Sequence, residues 1–505
     1  MMSPIGYLYL IRTFELNVCA MLSEAYSHDR ANREIGRNHD ASYVVYSERR
    51  LALENTWQGN LLFALKYEGV NLEVLRAFFH RVDEHAITSL VVEHPTGIYH
   101  RRAWFFYELL TDRRLPIDDL SAGNYVEAVD AELQLAISRE KAPRVRRQRI
   151  VNNLIGDRTF CPLVRMTDAI REFPASRLKA LSDNLMRAYP ADLIYRAVQY
   201  LYVKETKASF AIERETPDRR RMEAFVSILK GEIVQPLTKD FLASVQNRVV
   251  DERYAQRDWR TSQVYVGETI APGSEKIHFV AAKPNNVGEL MQGLLNLIER
   301  LTATAFDPVV AAAVVSFAFV FIHPFEDGNG RIHRYLMHYV LSRTGFVPKE
   351  FVFPVSAVLL KRSAEYDRML ETFSRRLMAR LKFEMDERGE VMVFGESADF
   401  YRYIDFTPIV EGFQRIVRET IETEWKAELD YLVRYDQMRK AMREVVDMPE
   451  KKANQFIMFA HQNGGRLSAA KRKFFPELTD EEIGRMEECL KECNSSVFVG
   501  AAAGI

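Results

Sequence analysis

Cysteine is scarce in this chain: four in 505 residues, at Cys19, Cys161, Cys489 and Cys493. They are too few and too scattered for a disulfide framework, and the last pair misses the C-x-x-C spacing of a zinc site. Reduced thiols in a cytosolic protein are the expectation. Long apolar runs are also lacking. The most apolar stretch, Val309–Ile322, falls short of the roughly 20 residues that a membrane-spanning helix needs. It reads as a helix buried on all sides at the centre of a helical domain. Neither sign of charge dominates: 69 Lys and Arg against 70 Asp and Glu leave a formal net charge of -1. That balance argues against a general nucleic-acid or membrane-surface binder. The opening Met1–Leu10 has neither the basic flank nor the cleavage site of an export signal. Cytoplasmic placement is therefore expected.

Strand signals are rare, and helical periodicity is what the chain does have. Leu72–His85, Glu289–Thr302 and Ser363–Phe383 place apolar residues at three- and four-residue spacing. Two short alternating runs, Gln263–Gly267 and Lys276–Val280, flank a Pro272-Gly273 turn and predict a β-hairpin that could act as a flap. The length exceeds what one hydrophobic core holds. A basic cluster at Lys141–Arg149 reads as a solvated connector, and Asp386–Glu390 as a polar turn after a long helix. Three regions follow: an N-terminal helical domain (1–190), a core domain (191–385) and a C-terminal helical domain (386–505). In the last, Ala453–His461 and a basic Leu467–Phe475 predict two helices around a glycine turn, and Thr479–Glu482 a capping box for a third. That order is compatible with a helix-turn-helix or winged-helix-like module. The fold class is mainly α.

The chemistry concentrates in His323-Pro-Phe-Glu-Asp-Gly-Asn-Gly-Arg331-Ile-His-Arg334. A glycine-rich turn feeding a helix start presents unpaired N–H groups and positive dipole character, which favours an anion, most often phosphate. Arg331 and Arg334, three apart, are neighbours on the helix surface. Together they can hold a polyphosphate. Asp327 is placed to bind Mg2+ with phosphate oxygens as co-ligands. His323, at the far end of the loop, is free to accept a proton from a hydroxyl. Asn329 can fix the loop or bond a phosphate oxygen, and Phe325 anchors the loop to the core. The spacing and lysine of a Walker A loop are absent from this motif. His333 and His338 lack ligand partners at metal spacing and read as structural.

These twelve residues match every fixed position of H-P-F-x-[DE]-G-N-G-R-x-x-R, so the chain resembles the Fic family over about residues 195–385. The resemblance implies a central all-helical Fic fold and transfer of AMP from ATP to a Ser, Thr or Tyr hydroxyl of a protein. His323 would then be the general base and Asp327 the Mg2+ ligand. Gly328, Asn329, Gly330 and Arg331 would form the anion hole, with Arg331 on the β-phosphate and Arg334 on the γ-phosphate. The hairpin, with Val264, Tyr265, Val266, Gly267, Ile277, His278 and Phe279, resembles the family flap that holds a target segment as an added strand.

Ser209 and Glu213 lie four apart and share a helix face. Within the resemblance they match the inhibitory helix [ST]-x-x-x-E-[GN], here about residues 203–215, with Arg214 departing from the last position. A glutamate paired with Arg334 occupies the arginine that a γ-phosphate needs. The expected activity is thus an adenylyltransferase restrained by Glu213, with a hydroxyl-bearing protein target (other proteins or the chain itself). The resemblance also implies a capacity to self-associate, as in a homodimer, while the sequence leaves the oligomeric state open. Two alternatives stand beside it. One is a Fic enzyme that uses another diphosphate donor or removes AMP. The other is a nucleotide-sensing regulator whose C-terminal helices bind DNA or a partner.

Overall fold

A computed structural model describes residues 2–19, 21–29, 34–38, 41–48, 53–231, 236–271, 274–348 and 351–495. Helices dominate it. The chain packs as two compact units, one of residues 1–180 with 202–418, the other of 181–201 with 419–505. The Pro272-Gly273 turn lies outside the described residues, as does the side chain of Cys493. Cys19 and Cys161 are buried free thiols. Among the described residues no helix is long and apolar enough to cross a membrane.

The centre of the larger unit is the apolar helix Pro308–Ile322. Asp307 caps its start, accepting from the amides of Val309 and Val310 at 3.0 and 2.9 Å, and Pro308 takes the first helical position. Nearly every residue of it is buried, because it is apolar all round. The helix stops at His323, whose backbone turns left-handed at φ 56°. Six residues on, the chain re-enters a helix, Asn329–Arg343, and this one is buried too, charged residues included. The sequence pattern separates Arg334 and His338 from Ile332 and Leu336, which suits a helix half in solvent. Instead its polar side meets a second helix, Ala191–Ile212, through complementary polar groups.

Several short strands escaped the alternation pattern. Ser23–His28 pairs in parallel with Ala41–Ser47, which pairs antiparallel with Glu34–Asn38. The run Tyr43-Val-Val-Tyr46 is contiguous rather than alternating, so no period of two marked it. The helix predicted through Phe383 ends at Met378. Residues Lys382–Met385 and Val391–Phe394 form a hairpin around the polar turn. Helix Ile98–Thr111 buries its aromatic run, Trp104, Phe105, Phe106 and Tyr107, in the N-terminal core.

The basic cluster is solvated only in part: Lys141, Arg144 and Arg146 are exposed, whereas Arg147 and Arg149 are tied down. Arg147 pairs with Glu108 and Asp119 and donates to the carbonyls of Leu115 and Ile117. Arg149 donates to those of Leu120, Ser121 and Gly123. The carbonyls of this irregular segment have no ladder partners, and these two arginines supply donors to them.

In the smaller unit, Lys426–Val445, Glu450–Gln462 and Asp480–Ser495 enclose a core that includes Met438, Phe456, Phe475 and Met486. The capping box forms as expected: Thr479 N–H donates to Glu482 and Glu482 N–H to Thr479, at 2.7 and 3.2 Å. The predicted second helix shrinks to Ala469–Arg472. Pro476 disfavours helical backbone at Phe475, and Phe475 turns into the core instead.

Candidate active site

The loop between the two buried helices is fixed by its own side chains. Asn329 accepts from the Phe325 amide at 3.0 Å and donates to the Phe325 carbonyl at 2.7 Å. Through both ends of its side-chain amide Asn329 thereby staples the loop. Phe325 is fully buried against Trp259 and Phe319. Gly328 sits at φ 90°, a conformation that favours glycine, immediately before the helix. The amides of Asn329, Gly330 and Arg331 open the helix and lack intrahelical acceptors.

An anion already stands at that helix start. Glu213 Oε1 lies so close to Gly330 that a Cβ there would meet it at 2.0 Å. The same carboxylate oxygen accepts from Arg334 Nη2 at 2.8 Å. Burial alone would raise the Glu213 carboxyl. The Arg334 charge and hydrogen bond, with Arg331 behind them, outweigh it and hold the group below the usual carboxylate range. Ser209 fixes the rest of Arg334, its hydroxyl taking Nε and its carbonyl Nη2, both at 2.8 Å. Nη1 of Arg334 is buried and has no hydrogen-bond partner among the described residues. Arg331 is held by Glu215 at 3.0 Å, by Asp327 at 2.8 Å and by the Val249 carbonyl at 2.7 Å. Glu215 was not singled out from the sequence, yet the segment brings one carboxylate to each arginine.

Arg214 explains its own departure from the inhibitory pattern. The helix ends at Ile212 and Arg214 adopts φ 58°, left-handed. That region suits glycine or asparagine, and another residue there costs about 1–2 kcal/mol. Arg214→Gly should therefore raise stability by about 0.5–1 kcal/mol in thermal melts, after the extra freedom of an unfolded glycine is deducted.

His323 caps the buried helix with its backbone and offers its ring to the loop. Nδ1 lies 3.0 Å from the Val320 carbonyl. A carbonyl only accepts, so Nδ1 carries the proton and Nε2 presents a lone pair. Desolvation pushes the imidazole down to about 4, with Arg260 helping, against smaller opposing effects of the Val320 hydrogen bond, Glu213 and Asp327. A depressed histidine stays neutral, and hence basic, into acid. The acid limb of kcat/KM, which reports the free enzyme, should fall at about pH 4 rather than near the ordinary histidine value of about 6.5. A pH–rate profile over pH 4 to 8 checks it.

Asp327 places both of its side-chain hydrogen bonds, from Gly328 N and Arg331 Nη2, on Oδ1. Oδ2 remains for a hard cation. Among the described residues no group of three acidic, histidine or cysteine side chains could hold a metal alone. One carboxylate suits Mg2+ when phosphates supply further ligands.

The hairpin forms from Tyr265–Ala271 and Ser274–Val280, antiparallel, with Tyr265 opposite Val280 and a bulge after Val266. Val264 precedes the strand and its carbonyl accepts from Ala281. Tyr265, Gly267, Ile277 and His278 stay half-buried or exposed, and Val266 and Ile270 are 46% and 66% exposed. Phe279 was grouped with the docking residues, but its ring is buried against Phe321, Phe373 and Tyr401. It anchors the hairpin.

Residues 236–341 match the model of the Fic/DOC family. The chain carries a Fic domain. The match begins downstream of Ser209 and Glu213. The chain is 38% identical over 91 residues to the protein adenylyltransferase Fic of Aedes aegypti. It is 34% identical over 89 residues to protein adenylyltransferase fic-1 of Caenorhabditis elegans. Each alignment covers 18% of this chain and only 16% of the relative's own length. Among solved structures, a Fic family protein from Desulfovibrio desulfuricans is similar at TM-score 0.38 and 21% identity, covering 62% of this chain and 87% of that one. A Fic-1 fragment from C. elegans follows at TM-score 0.34 and 14% identity, covering 74% and 92%.

Below the Fic motif the helices are joined by groups the sequence reading passed over. Glu205 is fully buried, its Oε1 2.7 Å from His338 Nε2. It also accepts from the Ser356 amide at 2.9 Å and from the Ser356 hydroxyl. Glu205, Ser209 and Glu213 lie at four-residue steps, facing His338 and Arg334 at the same step on the partner helix. That matched spacing was a readable signal.

Proposed function

We propose that this chain is a protein adenylyltransferase that transfers AMP from ATP to a Ser, Thr or Tyr hydroxyl of a protein and is held off by Glu213. The observation that carries this reading is the Glu213 carboxylate at the start of the Fic motif helix, between Gly330 and Arg334. A site built for an anion is filled by a side chain that a nucleotide can replace. The curated relatives bear the name protein adenylyltransferase, which supports the donor chemistry. We place the catalytic domain at 191–385, between N-terminal (1–190) and C-terminal (386–505) regions, and the protein in the cytoplasm.

With Glu213 displaced, Arg334 takes the γ-phosphate through Nη1 and the arm that Glu213 now occupies. Arg331, once free of Glu215, takes the β-phosphate, and the amides of Asn329–Arg331 take the remaining oxygens. Asp327 would hold Mg2+, which supplies charge neutralisation at the α- and β-phosphates. The target hydroxyl oxygen forms a bond to the α-phosphorus. The bond from that phosphorus to the oxygen bridging to the β-phosphate breaks, and pyrophosphate leaves. His323 Nε2 accepts the hydroxyl proton. The exposed edge of the hairpin holds the target backbone as an added strand.

Donor labelling tests the reading. Glu213→Gly protein, incubated in a lysate with Mg2+ and ATP, should retain label from the α-phosphate and none from the γ-phosphate. Retained γ-label would make it a phosphotransferase and overturn the proposal.

A further inference from the structure

Arg260 is one of the largest fully buried side chains and forms no ion pair among the described residues. Its guanidinium is satisfied by main-chain carbonyls alone. Nε donates to His323 O at 2.7 Å, and Nη1 to Ser262 O at 2.6 Å. Nη2 donates to Ala282 O and, at 3.4 Å, to Ile322 O. Its own amide donates to Pro324 O at 2.9 Å. Ser262 precedes the first hairpin strand and Ala282 follows the second. Ile322 and His323 end the buried helix and begin the catalytic loop. One side chain thus joins both roots of the hairpin to the backbone that carries His323.

Burying an unpaired cation is costly, and desolvation pushes this guanidinium down to about 10. Two features offset the cost: four carbonyl dipoles converge on it, and it lies at the negative end of the Pro308–Ile322 helix. Only a planar fork of five donors serves carbonyls in so many directions. A simple packing need would be met by an apolar residue at less cost.

We propose that Arg260 is a positioning residue for the transfer, locking the hairpin roots and His323 into one frame so that a hydroxyl held on the hairpin meets the imidazole at a fixed distance. This inference rests on the AMP-transfer reading. It goes beyond it by assigning a role to a residue that touches neither nucleotide nor target. Misplacing reacting groups by about 1 Å can cost about 100-fold in rate.

The test uses the full chain in the Glu213→Gly background, with Arg260→Lys and Arg260→Met added. Transfer to the protein target should lose about 100-fold in kcat, with KM for ATP unchanged. Hydrogen exchange should quicken about tenfold together in the hairpin and in residues 322–326, and not in the helix Ala191–Ile212. Arg260→Lys keeps the charge and removes the fork, so it remains informative if Arg260→Met fails to fold. Unaltered kcat with unaltered hairpin exchange overturns the proposal. So does a loss of ATP affinity that accounts for the whole fall in rate. If Glu213→Gly alone transfers no AMP, the functional reading fails, and the exchange pattern still decides whether Arg260 forms the frame.

Discussion

Glu213→Gly should raise AMP transfer by about 10- to 100-fold over the unaltered chain. The estimate comes from the contact being removed, a charge-assisted hydrogen bond to a buried arginine, of a kind that contributes about 1.5–3 kcal/mol. At about 1.4 kcal/mol per tenfold, that is the range stated. The direction follows from geometry. Arg334 has one arm on Ser209 and Glu213, one nitrogen on the Ser209 hydroxyl and one, Nη1, unpartnered. Removing Glu213 frees the Nη2 arm to act with the already unpartnered Nη1, without disturbing the Ser209 contacts that aim them. It also empties the helix start beside Gly330. Ser209→Ala should behave differently, releasing no anion site and leaving Arg334 less well aimed. Initial rates of label incorporation from α-labelled ATP measure both variants.

Glu205→Ala should destabilise the larger unit by about 3–5 kcal/mol, the usual effect of removing one partner of a buried charged network. The carboxylate accepts from three donors on two other elements: His338, the Ser356 amide and the Ser356 hydroxyl. Without it all three are stranded in a site where His338 and Ser356 are almost wholly buried. Chemical-denaturation midpoints against the unaltered protein give the number, and a change below about 1 kcal/mol would sink the account of this network. A functional consequence travels with it. Glu205 lies two turns before Glu213, which directly follows the last residue of the same helix, so its contact with His338 sets how firmly the inhibitory turn is held. Basal transfer should rise in Glu205→Ala protein assayed at low temperature, where the chain remains folded.

The parts of the site that were legible are those whose chemistry is local in sequence. His323, Asp327, Gly330, Arg331 and Arg334 fall within one turn and one helix start, and a helix start has the same physics in any protein. Spacing put Ser209 and Glu213 on one helix face, but it was the resemblance to the family's inhibitory helix that singled them out. Asn329 was half legible: its contiguous position invited a phosphate contact, while the structure spends its amide on Phe325, four residues back. Phe279 shows the opposite failure. It sits in an alternating strand whose pattern says only that one face is buried, and the Phe279 side is the buried one. Arg260 could not be seen at all, because its partners are carbonyls that every residue possesses. Arg147 and Arg149 were hidden for the same reason. The small N-terminal sheet was missed because its strands are short and mix contiguous with alternating apolar residues. The helix expected at Leu467–Phe475 failed on tertiary grounds, Phe475 being drawn into the core ahead of Pro476.

The central claim is that the Fic motif forms a complete AMP-transfer site whose anion position is filled by Glu213. Intact-protein and peptide mass spectrometry test it most directly. Glu213→Gly protein and the Glu213→Gly, His323→Ala double variant are each incubated with a protein lysate, ATP and Mg2+. The account predicts the added mass of AMP on Ser, Thr or Tyr residues in the first sample and none in the second. Equal modification in both would remove His323 from the chemistry. No AMP adduct in either, with the proteins folded and ATP bound, would contradict the account.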